Sequence, residues 1–123
     1  MSLADRNWAH MAGGFLLMGS WAGFANRHHP MPAPLVAGLV QGCLTAVITL
    51  GLKRLVELLA TRLTGPAALV LPPVAACAVS LALLSSVHTL AGTPEVLRTL
   101  AVPTTVATLY AALYTFRIWR RHG

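Results

Sequence analysis

Acidic residues are nearly missing from this chain: three Asp and Glu stand against nine Lys and Arg in 123 residues. Charge of either sign is scarce, at 10% of residues against the roughly 25% of a typical soluble domain. A water-soluble fold this poor in charge could not cover its surface. Cysteine is scarce as well. Cys43 and Cys77 both fall inside apolar runs, with no CxxC, no disulfide framework and no zinc spacing. Within the four long apolar runs there is no Asp, Glu, Lys or Arg. That disfavours an intramembrane acid–base pair, a proton relay and a proton-coupled exporter of the usual kind. Ser85, Ser86 and His88 cluster on one segment, but neighbours on one helix do not make a nucleophile with its base and orienting group. The chain is read as a non-enzyme without a cofactor.

What is present is apolar: 56% of residues. The runs Trp8 to Asn26, Leu35 to Leu52, Ala67 to Val87 and Thr99 to Phe116 each match the ~17–25 residues a helix needs to cross the hydrocarbon core. They predict an all-α protein: a single integral membrane domain over residues 1–123, built as a four-helix bundle of antiparallel spans. The first run could instead be a secretory signal, since Gly23-Phe24-Ala25 resembles a small-x-small cleavage site. Its leading segment sets one Arg beside an Asp, so it is kept as a span.

The net charge of +6 alone would suggest nucleic acid, but the cations sit at the ends of apolar runs rather than on a polar face. Nucleic acid is set aside, and the charges are read as topology signals. Arg6, Lys53, Arg54, Arg62, Arg117, Arg120 and Arg121 fall on one side of a four-span arrangement; Arg27 and Arg98 fall on the other. Seven against two places both termini in the cytoplasm, in what is expected to be a bacterial inner membrane.

Punctuation supports these boundaries. His28-His29-Pro30-Met31-Pro32-Ala33-Pro34 cannot be helical through three prolines and is expected to be an external turn. Gly65-Pro66 ends the second helix and starts the third. Thr93-Pro94-Glu95 predicts an N-cap and first turn for the fourth. Residues 53–64 are amphipathic and expected to extend the second helix, with Lys53 and Glu57 paired at i,i+4.

Helix two carries the most distinctive pattern. Gly38, Gln41, Gly42, Thr45 and Thr49 recur at helical spacing on one face. Gly38 and Gly42 permit close approach of another helix, within the bundle or in an oligomer, as do Gly19 and Gly23 on helix one. Gln41 carries an amide that lipid cannot satisfy. With Pro72-Pro73, a proline pair that frees backbone carbonyls in helix three, Gln41, Thr45 and Thr49 form a candidate pathway or ligand site. Pro103 repeats the device in helix four, where Thr104, Thr105 and Thr108 are placed to repair the ladder.

On the external side Arg27, His28, His29, His88, Glu95 and Arg98 form a candidate site for an anion or lipid headgroup. Imidazole and carboxylate also suit zinc or nickel, but the spacing matches no metal motif and no metal site is assigned. His10 and His88 fall at opposite faces, which excludes a bis-histidine haem between them. The Trp and Tyr residues near span ends fit interfacial belts, with Trp21 and Phe24 the best candidates to line a pocket.

Two functions of different class fit this pattern. The first is binding or moving a lipid-like or small amphipathic molecule, with membrane lipid as partner and a homo-oligomer or larger complex as the working state. The second is an accessory or assembly subunit of a larger membrane complex, with no substrate of its own.

Overall fold

The computed structural model describes residues 2–122 and is all-helical there, with four helices: α1 (Leu3–Ala25), α2 (Ala33–Arg62), α3 (Pro66–Leu90) and α4 (Val96–His122). Three stretches are long and apolar enough to cross a membrane: 33–62, 66–90 and 96–121. α1 is long enough but is not among them, because four glycines, two tryptophans and His10 dilute its apolar character.

Local chemistry accounts for the boundaries. Ser2 caps α1, its hydroxyl accepting from the Asp5 N–H at 3.1 Å, while the Asp5 carboxylate accepts the Ser2 N–H in return. α2 continues without interruption through the amphipathic segment to Arg62. Gly65, at φ 63°, supplies the left-handed residue that lets the chain reverse, and Pro66 opens α3 at a position needing no N–H donor.

The α3–α4 link departs from the expected cap. The Thr93 hydroxyl is turned to His88 (2.7 Å), and the Glu95 N–H is taken by the Asn26 side-chain oxygen at 2.9 Å. α4 is therefore capped from α1, a partner no local motif could reveal. The Lys53–Glu57 pair does not form either: Tyr114 of α4 donates its hydroxyl to Glu57 at 2.9 Å.

Helix packing has two centres. At the α1–α2 crossing the backbones nearly touch: a Cβ added to Gly19 would stand 2.9 Å from the Gly38 carbonyl oxygen, and one on Gly38 3.0 Å from that of Gly19. Gly42 faces the Phe15 ring, and Gly23 sits against the Pro34 carbonyl. At the end holding both termini, α2, α3 and α4 share an apolar core of Leu52, Val56, Ala60, Ala76, Ala111 and Ile118.

At the opposite end, which carries the α1–α2 and α3–α4 links, polar groups join the helices. Pro103 has no N–H, so the Thr99 carbonyl loses its helical donor. The Trp21 indole N–H of α1 occupies it at 3.2 Å. The nearby threonines do not repair that carbonyl: Thr105 donates to Ala101 and Thr108 to Thr104. Asn26, fully buried, donates to the Ala22 carbonyl and to the Thr99 hydroxyl, both at 2.8 Å. α1 is thus tied to α4 at the link end.

Candidate functional site

Toward the termini α1 and α4 part, and a crevice of about 710 Å³ opens between α1, α2 and α4, with α3 behind it. Gln41, Thr45 and Ser80 stand at its inner part, and Thr49 lines it one turn inside Lys53. Apolar side chains such as Leu17, Ile48 and Val106 form the walls, and Arg6, Lys53, Arg117 and Arg121 surround the mouth. Gln41 lies about 18 Å along α2 from Lys53 at 1.5 Å per residue. The volume is in the ~300–1,000 Å³ range of sites that enclose one small ligand.

Gln41 closes the inner end. Its amide N–H donates to the Thr45 hydroxyl at 2.8 Å, which leaves Oε1 facing His88 Nε2, also at 2.8 Å. His88 therefore carries its proton on Nε2 as donor to Gln41, and Nδ1 accepts from the Thr93 hydroxyl at 2.7 Å. Gln41 and His88 are both fully buried. This chain of contacts runs from α2 through α3 to the α3–α4 link and separates the crevice from the link end.

Ser80 is different. Buried serines and threonines in helices usually return their hydroxyl to a carbonyl one turn back, as Thr99 and Thr115 do here at 2.6 and 2.5 Å. Ser80 does not, and its buried hydroxyl has no partner; among the described residues only Thr104 shares that state. A polar atom arriving in the crevice would find Ser80 free.

The structure brings together Gln41, Thr45 and Thr49 but leaves Pro72 and Pro73 outside the crevice. Pro72 belongs to the buried stripe Ala68, Pro72, Ala76, Ser80, Leu84 and His88 on α3. It is two turns from Ser80, on the part of the stripe near the terminal core, so shared helix face did not mean shared cavity. α3 remains helical through the proline pair.

The expected link-end cluster also divides. His29 Nε2 and Glu95 pair at 2.9 Å. His88 turns inward to Gln41, while Arg27 lies over the Phe24 ring at 3.8 Å and donates to the Phe24 carbonyl. His28 and Arg98 are exposed. Among the described residues no three His, Cys, Asp or Glu side chains converge as metal ligands. Trp21 serves the Thr99 carbonyl, Phe24 is largely exposed, Cys43 is exposed and Cys77 half-buried; both cysteines are free.

The His29 hydrogen bond, aided by the charges of Arg98 and His29, holds the Glu95 carboxyl below its ordinary range against the upward push of desolvation. A depressed carboxylate favours the folded link above the ordinary carboxylate range, and this contribution is lost as pH falls through the lowered folded value. Glu95→Gln is therefore expected to loosen the link modestly near neutral pH and to approach wild type only as pH falls below the lowered folded value. Amide exchange at residues 91–95 as a function of pH checks this; a gap that persists undiminished into acid would contradict it.

In the sequence, Arg6, Arg117 and Arg121 of the mouth stand out only as topology signals, and Lys53 as one and as a partner for Glu57. One further signal was available: Arg117 and Arg121 are one turn apart and so share a face of α4. Asn26 and Ser80 carried no local mark of their roles. No protein-family model, curated protein or solved structure matches this chain.

Proposed function

We propose that the chain is a four-span integral membrane protein with both termini cytoplasmic, α1 completing the three apolar helices, and that it binds one lipid-like amphiphile in the crevice. The observation that supports this reading is the crevice itself: apolar walls between parted helices, polar groups inside, and cations at the mouth. With both termini cytoplasmic, in a bacterial inner membrane, the mouth opens at the cytoplasmic headgroup level. A chain can then lie along the walls while its headgroup remains at the surface. Gln41, Thr45 and Ser80 bound the inner end, with Thr49 on the wall toward the mouth.

The protein acts in this reading as a binding or transfer protein rather than an enzyme. α1 of the same chain fills the glycine face of α2, so an oligomer would use another surface. An accessory subunit, the alternative, needs no crevice.

The test is lipid retention. Protein purified in mild detergent and examined by native mass spectrometry is expected to carry one amphiphile per chain. Met18→Trp, which places an indole in the crevice wall, is expected to remove it while leaving the helical content unchanged. Equal retention by the folded variant would exclude the crevice as the binding site.

A further inference from the structure

We infer that the ligand of this crevice is a single-chain amphiphile with a phosphomonoester head, held at the mouth by Arg6, Lys53, Arg117 and Arg121. The inference rests on the crevice reading above and adds the chemistry of the head.

The first ground is an unmatched charge. Four cations from α1, α2 and α4 line one opening, and no carboxylate lines it with them. Two carboxylates lie nearby without lining it, Asp5 in the Ser2 capping box and Glu57 accepting the Tyr114 hydroxyl; neither forms an ion pair with the four cations, which outnumber them. Among the described residues the one ion pair is His29–Glu95, at the other end of the molecule.

Topology alone does not require this convergence. A positive-inside bias is satisfied by cations anywhere near the span ends, and Arg54, Arg62 and Arg120 are placed away from the crevice. Arg117 and Arg121 are like charges at i,i+4, a mildly unfavourable spacing on an exposed helix. Arg6 lies in the first turn of α1, where the helix dipole disfavours a cation. An anion at the mouth would offset both costs.

The head must carry more than one negative charge to match this set. A phosphomonoester carries about −1.5 to −2 near neutral pH and presents three acceptor oxygens, and guanidinium groups bind such oxygens in a two-pronged fashion. The volume of about 710 Å³ suits one chain with its head.

Lysophosphatidic acid, lysophosphatidylcholine of the same chain length, and inorganic phosphate are the probes, each titrated against the full chain in nanodiscs of neutral lipid. Lysophosphatidic acid is expected to bind at least about tenfold more tightly than lysophosphatidylcholine, and inorganic phosphate is not expected to compete at matched concentration. Arg117→Gln/Arg121→Gln is expected to erase most of that preference, since each charge-assisted contact contributes several-fold or more. Arg6→Gln, on a separate helix, is expected to erase part of it. Equal binding of both lipids, abolished by Met18→Trp, would overturn the phosphomonoester assignment and leave the amphiphile site standing. Competition by inorganic phosphate equal to that of lysophosphatidic acid would overturn the lipid source. Binding of neither lipid, with Met18→Trp indistinguishable from wild type, would overturn the crevice reading together with this one.

Discussion

Gly19→Leu is expected to be among the most damaging single substitutions in α1, costing about 3 kcal/mol, the upper end of ordinary overpacking. At 2.9 Å from the Gly38 carbonyl oxygen, the first added carbon already overlaps a backbone atom. A side chain could turn aside; a backbone carbonyl within α2 cannot, so the helices must separate. Gly42 provides a graded comparison, because its added Cβ would meet the Phe15 ring at 3.0 Å rather than backbone. Gly42→Ala should cost less than Gly19→Ala, since the ring can tilt. Gly13 and Gly51 have nothing within 4 Å, and replacing either by Ala should stabilise by up to about 0.5–1 kcal/mol through helix propensity alone. Thermal unfolding in detergent of these variants orders them. A Gly19→Leu protein as stable as Gly51→Leu would show that the close crossing is absent.

Much of the secondary structure was legible in the sequence because its signals are local. Apolar runs, the proline-rich link and Gly65-Pro66 located four helices, although α2 already begins at Ala33 and takes in Pro34, whose missing N–H is no loss in a first turn; α2 also continues through the amphipathic segment 53–62 as its pattern suggested. Most of the weaker points involve partners distant in sequence. Thr93 was an apt cap by local rules, yet His88 takes its hydroxyl and Asn26 caps α4 from across the molecule. Lys53 and Glu57 had the right spacing, but Tyr114 reaches Glu57 instead. Pro103 announced an orphaned carbonyl without revealing that Trp21 would serve it. For the site, periodicity correctly grouped Gln41, Thr45 and Thr49 on one face, because a helix imposes that geometry by itself. Which residues of α1 and α4 oppose that face depends on how the helices part, and no periodicity encodes it. Arg6, Arg117 and Arg121 were therefore visible as charge and not as lining.

Breaking the Gln41–His88 contact is expected to cost nearly as much as the glycine change, and it decides whether Gln41 supports the fold or touches ligand. Both amide atoms of Gln41 are already occupied, Nε2 by Thr45 and Oε1 by His88, which argues for support. Gln41→Leu leaves the His88 N–H buried without an acceptor, and His88→Leu leaves the Gln41 oxygen without a donor. Each single change is expected to lower stability by about 1–3 kcal/mol, the penalty of an unpaired buried group. His88→Leu should be the more severe, since it also strips Thr93 of its partner and loosens the α3–α4 link. The double variant leaves neither partner of the contact unpaired, so it should be less destabilised than the sum of the singles by about 1 kcal/mol. Lipid retention, measured on the same preparations, should fall only in proportion to unfolding, because the mouth and walls remain intact. A Gln41→Leu protein as stable as wild type but empty of lipid would reverse this assignment. The amide would then be a ligand contact, and the His88 bond a resting arrangement that ligand displaces.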